Sequence, residues 1–141
     1  MDGISSWAVF LDNHTMMQQV VDYYNGGVGN GRITNYISPS GQCQESGRDQ
    51  GHSMMGEEHL LATALTVWHA TNSSNLFSAH DFRLRTGREC AAQYNLGHDV
   101  PFQPNCDVPS PGNAYVIQVP QFAPDYGSMS DTFIPRSRYG T

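Results

Sequence analysis

From Asp49 to Ala70 the sequence runs without a proline and carries apolar residues so densely that a long, well-buried helix is the strongest constraint on the fold. Met55, Leu61, Leu65 and Trp68 recur at helical spacing, flanked by Leu60, Ala64 and Val67. A stripe that wide has to be covered by other elements. The polar stretch Thr71 to Asn75 ends it.

Two more helices are expected around it. Ser5 or Ser6 is a candidate N-cap for a first helix, in which Phe10, Met17, Val20, Val21 and Tyr24 recur at helical spacing and which Gly26-Gly27 stops. Asn25 to Gly31 is Gly/Asn-rich and reads as a loop, Ile33 to Ile37 as extended chain, and Pro39 to Gly41 as a turn. A further helix spans Asp81 to Asn95 and ends at Gly97. Gly97 to Thr141 holds seven of the eight prolines without any period, the mark of a long irregular segment. The expected class is all-α, with about three helices and long loops over residues 1–102 and a Pro-rich irregular tail over 103–141 of the same domain. Three amphipathic helices alone bury their stripes poorly, so a partial helical domain is the simplest reading.

Charge narrows the functions. The formal net charge is -6, and the seven basic residues are all Arg. No basic stripe is present, so nucleic acid is not an expected partner. No apolar run reaches the roughly 18 residues of a membrane span, and a membrane partner is not expected either. Met1 to Ser6 has neither the basic nor the apolar region of a signal peptide. A polyanionic sugar remains compatible, because it needs local Arg in a groove rather than a basic whole.

Three cysteines give no complete disulfide framework, although one pair can form, Cys90 and Cys106 being the closest in sequence. The sequons at Asn13 and Asn72 point weakly to secretion. Met16-Met17 and Met54-Met55 read as core filler, and Trp7 and Trp68 as buried helix residues rather than sugar-stacking platforms. Arg83, Arg85 and Arg88 read as a solvated face, with Arg85 and Arg88 close enough to share a groove. His52 and His59 share a helical face beside Glu58, but without the spacing or support of a metal site; no metal or other cofactor is expected. His14 reads as an ordinary exposed residue.

The densest polar cluster runs from Gln42 to His52: Gln42, Gln44, Glu45, Arg48, Asp49, Gln50 and His52, with Gly47 and Gly51 among them. It stands at a helix entrance, where unpaired backbone amides favour anions. On a helix, Arg48 and His52 are four apart and share a face. Arg48 offers a planar fork for a carboxylate, and His52 exchanges a proton near neutral pH. The plainer alternative is a capped helix start, with Glu45 or Ser46 as cap and Arg48-Asp49 as an exposed ion pair.

The string Gln-Glu-Ser-Gly-Arg-Asp-Gln-Gly-His (Gln44 to His52) resembles the signature of the alginate-lyase family of (α/α) toroid polysaccharide lyases. Ala8 to Asn13, Asn25 to Ile37, and Tyr94 to Gly97 with Asp99 to Pro101 resemble other family segments in the same order, over roughly Trp7 to Phe102. The resemblance implies an incomplete (α/α) toroid and β-elimination in a uronic-acid polymer. It makes Arg48 and Gln50 the groups that bind the substrate carboxylate, and His52 the base or its partner. Glu45 and Asp49 would orient them, with Gln44 among the substrate-binding residues. The family's Asn-His or Asn-Trp element precedes the Ala8 segment and is expected outside these residues, leaving one wall of a cleft. An acidic polysaccharide is the expected partner, and the full-length parent is expected to be extracellular or periplasmic. Two competing functions are a toroid glycoside hydrolase using Glu45 and Asp49, and a non-catalytic carbohydrate-binding domain.

Overall fold

The computed structural model describes residues 1–47, 50–72 and 75–101. Arg48, Asp49, Cys106, part of the Asn72 sequon and the Pro-rich tail lie outside the described residues. The described chain is all-α: α1 (Asp2–Phe10), α2 (His14–Gly26), the short α3 (Ile33–Tyr36), α4 (Gln50–Thr71) and α5 (Ala79–Asn95). Short 3-10 turns at Gln44–Gly47 and Leu76–Ser78 introduce α4 and α5. The described residues contain no strand, only an isolated antiparallel bridge between Ile37 and Cys43.

Where the sequence predicts one helix up to Gly26, the structure has two. The chain breaks at Leu11–Asn13, with Asp12 in a left-handed conformation (φ 49°) and Asn13 capping α2 by accepting a 2.9 Å hydrogen bond from the Met16 amide. A local Asn cap outweighs the continuing apolar period because it satisfies an amide that would otherwise be orphaned. Ser5 is a buried residue inside α1, and its hydroxyl bonds back to the Asp2 carbonyl. Ile33 to Tyr36 forms a helical turn rather than extended chain, closed by the Ile37 amide on the Ile33 carbonyl. Ile33 and Tyr36 are both buried in the core, so packing overrides the local preference for a strand.

α4 follows its prediction closely, and α1, α5 and both 3-10 turns pack against it. Its buried face differs from the expected stripe. Ser53, Glu57, Leu60, Ala64 and Val67 are buried, whereas Met55, Leu65 and Trp68 are exposed. Apolar residues sit in adjacent pairs (Leu60-Leu61, Ala64-Leu65, Val67-Trp68), so the period does not choose between neighbouring faces. The core joins this face to Ala8 of α1, to Met17, Val20 and Tyr24 of α2, to Ile33, Tyr36, Ile37 and Cys43, and to Leu76 and Leu84. Phe10 and Trp7, expected inside, stay exposed and meet edge to face at 5.6 Å.

α5 begins irregularly. His80, Asp81 and Phe82 have φ of 51°, 58° and 57°, so right-handed helix resumes only beyond them. The His80 ring bonds the Asn25 carbonyl at 3.1 Å, which ties this bend to the end of α2.

Candidate functional site

The turn at Pro39–Gly41 aims the polar cluster at α4. The Ser38 amide donates to the Gln42 carbonyl at 2.9 Å and the Gly41 amide to the Ser38 carbonyl at 3.0 Å. Gly41 has φ 92°, and a Cβ there would stand 2.6 Å from the Thr86 carbonyl oxygen of α5, so glycine is required on both counts. Gln42, Gln44 and Ser46 then turn inward and are buried. The Gln42 side chain donates to the Ser46 hydroxyl at 2.9 Å, and the Ser46 amide donates to the Cys43 carbonyl at 3.1 Å.

Among the expected site residues, Gln44 is buried and Glu45 half-buried in the turn, and His52 is half-buried in the first turn of α4. Gln50 opens that helix. Arg48 and Asp49 lie outside the described residues, and with them the register that would set Arg48 beside His52.

Beneath the site runs a second polar layer that sequence reasoning passes over. The Tyr36 hydroxyl lies over the carbonyl oxygens of His52 and Ser53, donating across 3.0 and 3.1 Å. Burial, together with the neighbouring Cys43 thiol and the Glu45 and Glu57 carboxyls, pushes the Tyr36 phenol far above its ordinary range. That hydroxyl keeps its proton and serves the backbone of α4. Glu57, one turn beyond Ser53, is 1% exposed. Burial pushes its carboxyl up to about 7, and the Arg88 guanidinium at 3.5 Å only partly opposes that. Arg88 also bonds Glu58 at 2.5 Å, which joins α5 to α4.

The arginine cluster of α5 is thus divided. Arg85 pairs with Glu89 at the surface (2.8 Å), as a solvated face should. Arg83 instead donates to the Ile37 carbonyl at 3.0 Å, and Arg88 reaches inward to Glu57. The available signal was Glu57 itself, a carboxylate four residues from Ser53 and three from Leu60 on the same face.

No family model, curated protein or solved structure matches this chain significantly. The geometry therefore stands alone.

His59 does not join His52. Its ring nitrogen pairs with Asp2 of α1 at 2.7 Å. Among the described residues no three His, Cys, Asp or Glu side chains converge as a metal site would require. No described helix is long and apolar enough to cross a membrane. His14 is exposed near Asp12. A cavity of about 480 Å³ lies between α1 and α2, lined by Met1, Ile4, Gln19, Val20, Tyr23 and Gly31, and does not include the His52 region.

Proposed function

We propose that this chain contributes one wall of the cleft of a polysaccharide lyase of the (α/α) toroid type, cleaving a uronic-acid polymer such as alginate by β-elimination. The observation that carries this reading is the string from Gln42 to His52, which ends in the first turn of α4, the longest described helix, with His52 half-buried there. Three other segments resemble the same family in order.

The reaction states its own needs. A base removes the proton on C5, and its electron pair forms the C4–C5 double bond as O4 departs and takes up a proton. Charge builds on the adjoining carboxylate and must be neutralised there. His52 is the base or its partner. Arg48 and Gln50 hold the carboxylate, Glu45 and Asp49 orient them, and Gln44 lines the sugar site. The deeply buried, backbone-bonded Tyr36 is unsuited to serve as the acid, so the proton for O4 comes from another group. Action on an extracellular polymer fits an extracellular or periplasmic parent.

The test is incubation with polymannuronate, polyguluronate and polyglucuronate while following the ultraviolet absorbance of the unsaturated product. In the full-length parent, which supplies the other wall of the cleft, the absorbance grows, and it falls by roughly a hundredfold or more in His52→Ala, the range for loss of a general base. Normal absorbance growth in that variant overturns the His52 assignment. New reducing ends without absorbance would indicate a hydrolase. Binding without turnover would favour a non-catalytic carbohydrate-binding domain. That second reading draws on the burial of Gln42, Gln44 and Ser46, whose polarity serves the turn as well as a ligand.

A further inference from the structure

We propose that Asn13 is the acceptor of an N-linked oligosaccharide. Asn13-His14-Thr15 has the required residue types, with no proline between them. The fold adds conditions that a bare triplet does not meet. Asn13, His14 and Thr15 are all exposed, at the break between α1 and α2. The two ends of the Asn13 amide are divided in use. Its Oδ1 accepts from the Met16 amide at 2.9 Å, which orients the side chain as the cap of α2. Its Nδ2, the atom a glycan takes, has no acceptor among the described residues, and neither has the Thr15 hydroxyl a partner there. A sugar on Nδ2 therefore displaces no hydrogen bond of the fold and leaves the cap in place. A hollow of about 150 Å³ opens beside Asn13, with Val9, Met17 and Ala70 in its wall and Thr71 at its edge, and gives the first sugar room. The Asn72 sequon is no part of the proposal, because its Ser73 and Ser74 lie outside the described residues.

The donor is a lipid-linked oligosaccharide diphosphate, and the step is a displacement at the anomeric carbon of its first N-acetylglucosamine. Asn13 Nδ2 loses one proton to a base of the transferase and forms the bond to that carbon. The bond from the same carbon to the phosphate oxygen breaks, and the lipid diphosphate leaves with the electron pair. Nothing is oxidised or reduced. Nδ2 keeps its other hydrogen and Oδ1 is untouched, so the product can still accept from the Met16 amide. The modification requires passage through a secretory compartment, as does the extracellular parent proposed above, but it needs none of the lyase chemistry.

The test directs the full chain into the secretory pathway of eukaryotic cells behind a cleavable leader. Secreted and cell-retained pools are each treated with peptide N-glycosidase in heavy-oxygen water and digested with trypsin. With no Lys in the chain, the first tryptic peptide runs to Arg32 and holds Asn13 as its one sequon, so it reports separately from Asn72. The expected result is heavy-oxygen Asp at position 13 in that peptide, together with loss of the glycan mass from the intact chain. Thr15→Ala abolishes the modification at Asn13 while the Asn13 side chain stays to cap α2, and its far-ultraviolet circular dichroism matches that of the unglycosylated native chain. Asn72→Gln leaves the modification in place. An unmodified peptide in both pools, or a glycan on Asn13 that persists in Thr15→Ala, overturns the proposal.

Discussion

A Cβ at Gly56 would stand 2.0 Å from the Tyr36 hydroxyl oxygen, so only glycine lets that phenol lie across α4 and reach the His52 and Ser53 carbonyls. Glycine within a helix costs about 1 kcal/mol relative to alanine. The overpacking it avoids costs about 1–3 kcal/mol, so the close approach wins. Glu57 is the other costly residue at this layer, and its cost depends on pH. Its folded value near 7 lies above the ordinary 4.5. A carboxyl raised on folding favours the native state while it is protonated in both states. That contribution is complete below the ordinary value and is lost as pH rises through the folded one. A shift of this size corresponds to about 3 kcal/mol. Glu57→Gln should therefore gain stability relative to the native chain as pH rises from about 5 to about 8, approaching that amount. Arg88 keeps Glu58 as a partner throughout. Urea denaturation of both proteins across this range measures the difference. A constant difference would mean that Glu57 is not the titrating group.

At the scale of elements, the break between α1 and α2 rests on one side chain. Asn13→Ala leaves the Met16 amide without its cap, and α2 carries no acidic residue in its first turn to compensate. The expected loss is about 1 kcal/mol, typical of an N-cap, read as a lower urea midpoint by far-ultraviolet circular dichroism. An unchanged midpoint would show that packing of Met17 and Val20, rather than the cap, sets the start of α2. Legibility in the sequence followed the same division. α4 and the helix ending at Asn95 could be read because caps, breakers and apolar content agree there. The α1–α2 break could not, since Phe10 and Leu11 continue an apolar pattern although both finish exposed. The polar cluster was visible as composition, but its partners Tyr36, Glu57 and Arg88 come from three separate helices, which no local pattern announces.

Across the whole molecule, much apolar surface lies outside the described core. Ile4, Trp7, Phe10 and Leu11 of the α1 region and Met55, Leu65 and Trp68 of α4 are all exposed. Both tryptophans belong to this set, with Trp7 60% and Trp68 46% exposed, Trp68 leaning edge-on against Phe77 at 6.4 Å. Single exposed apolar residues are ordinary, but an exposed tryptophan against a second exposed aromatic, as Trp7 is against Phe10, invites a covering partner. Tryptophan emission therefore reports on the exposure of both positions directly. At low concentration the folded chain should emit at the long wavelengths of water-exposed indole, and acrylamide should quench it nearly as well as it quenches the urea-unfolded chain. Raising the protein concentration should shift the emission to shorter wavelengths if two copies cover the surface together. Blue-shifted, poorly quenched emission at the lowest concentration would mean that both indoles are already covered within one chain, and the exposed set would then have to be redrawn.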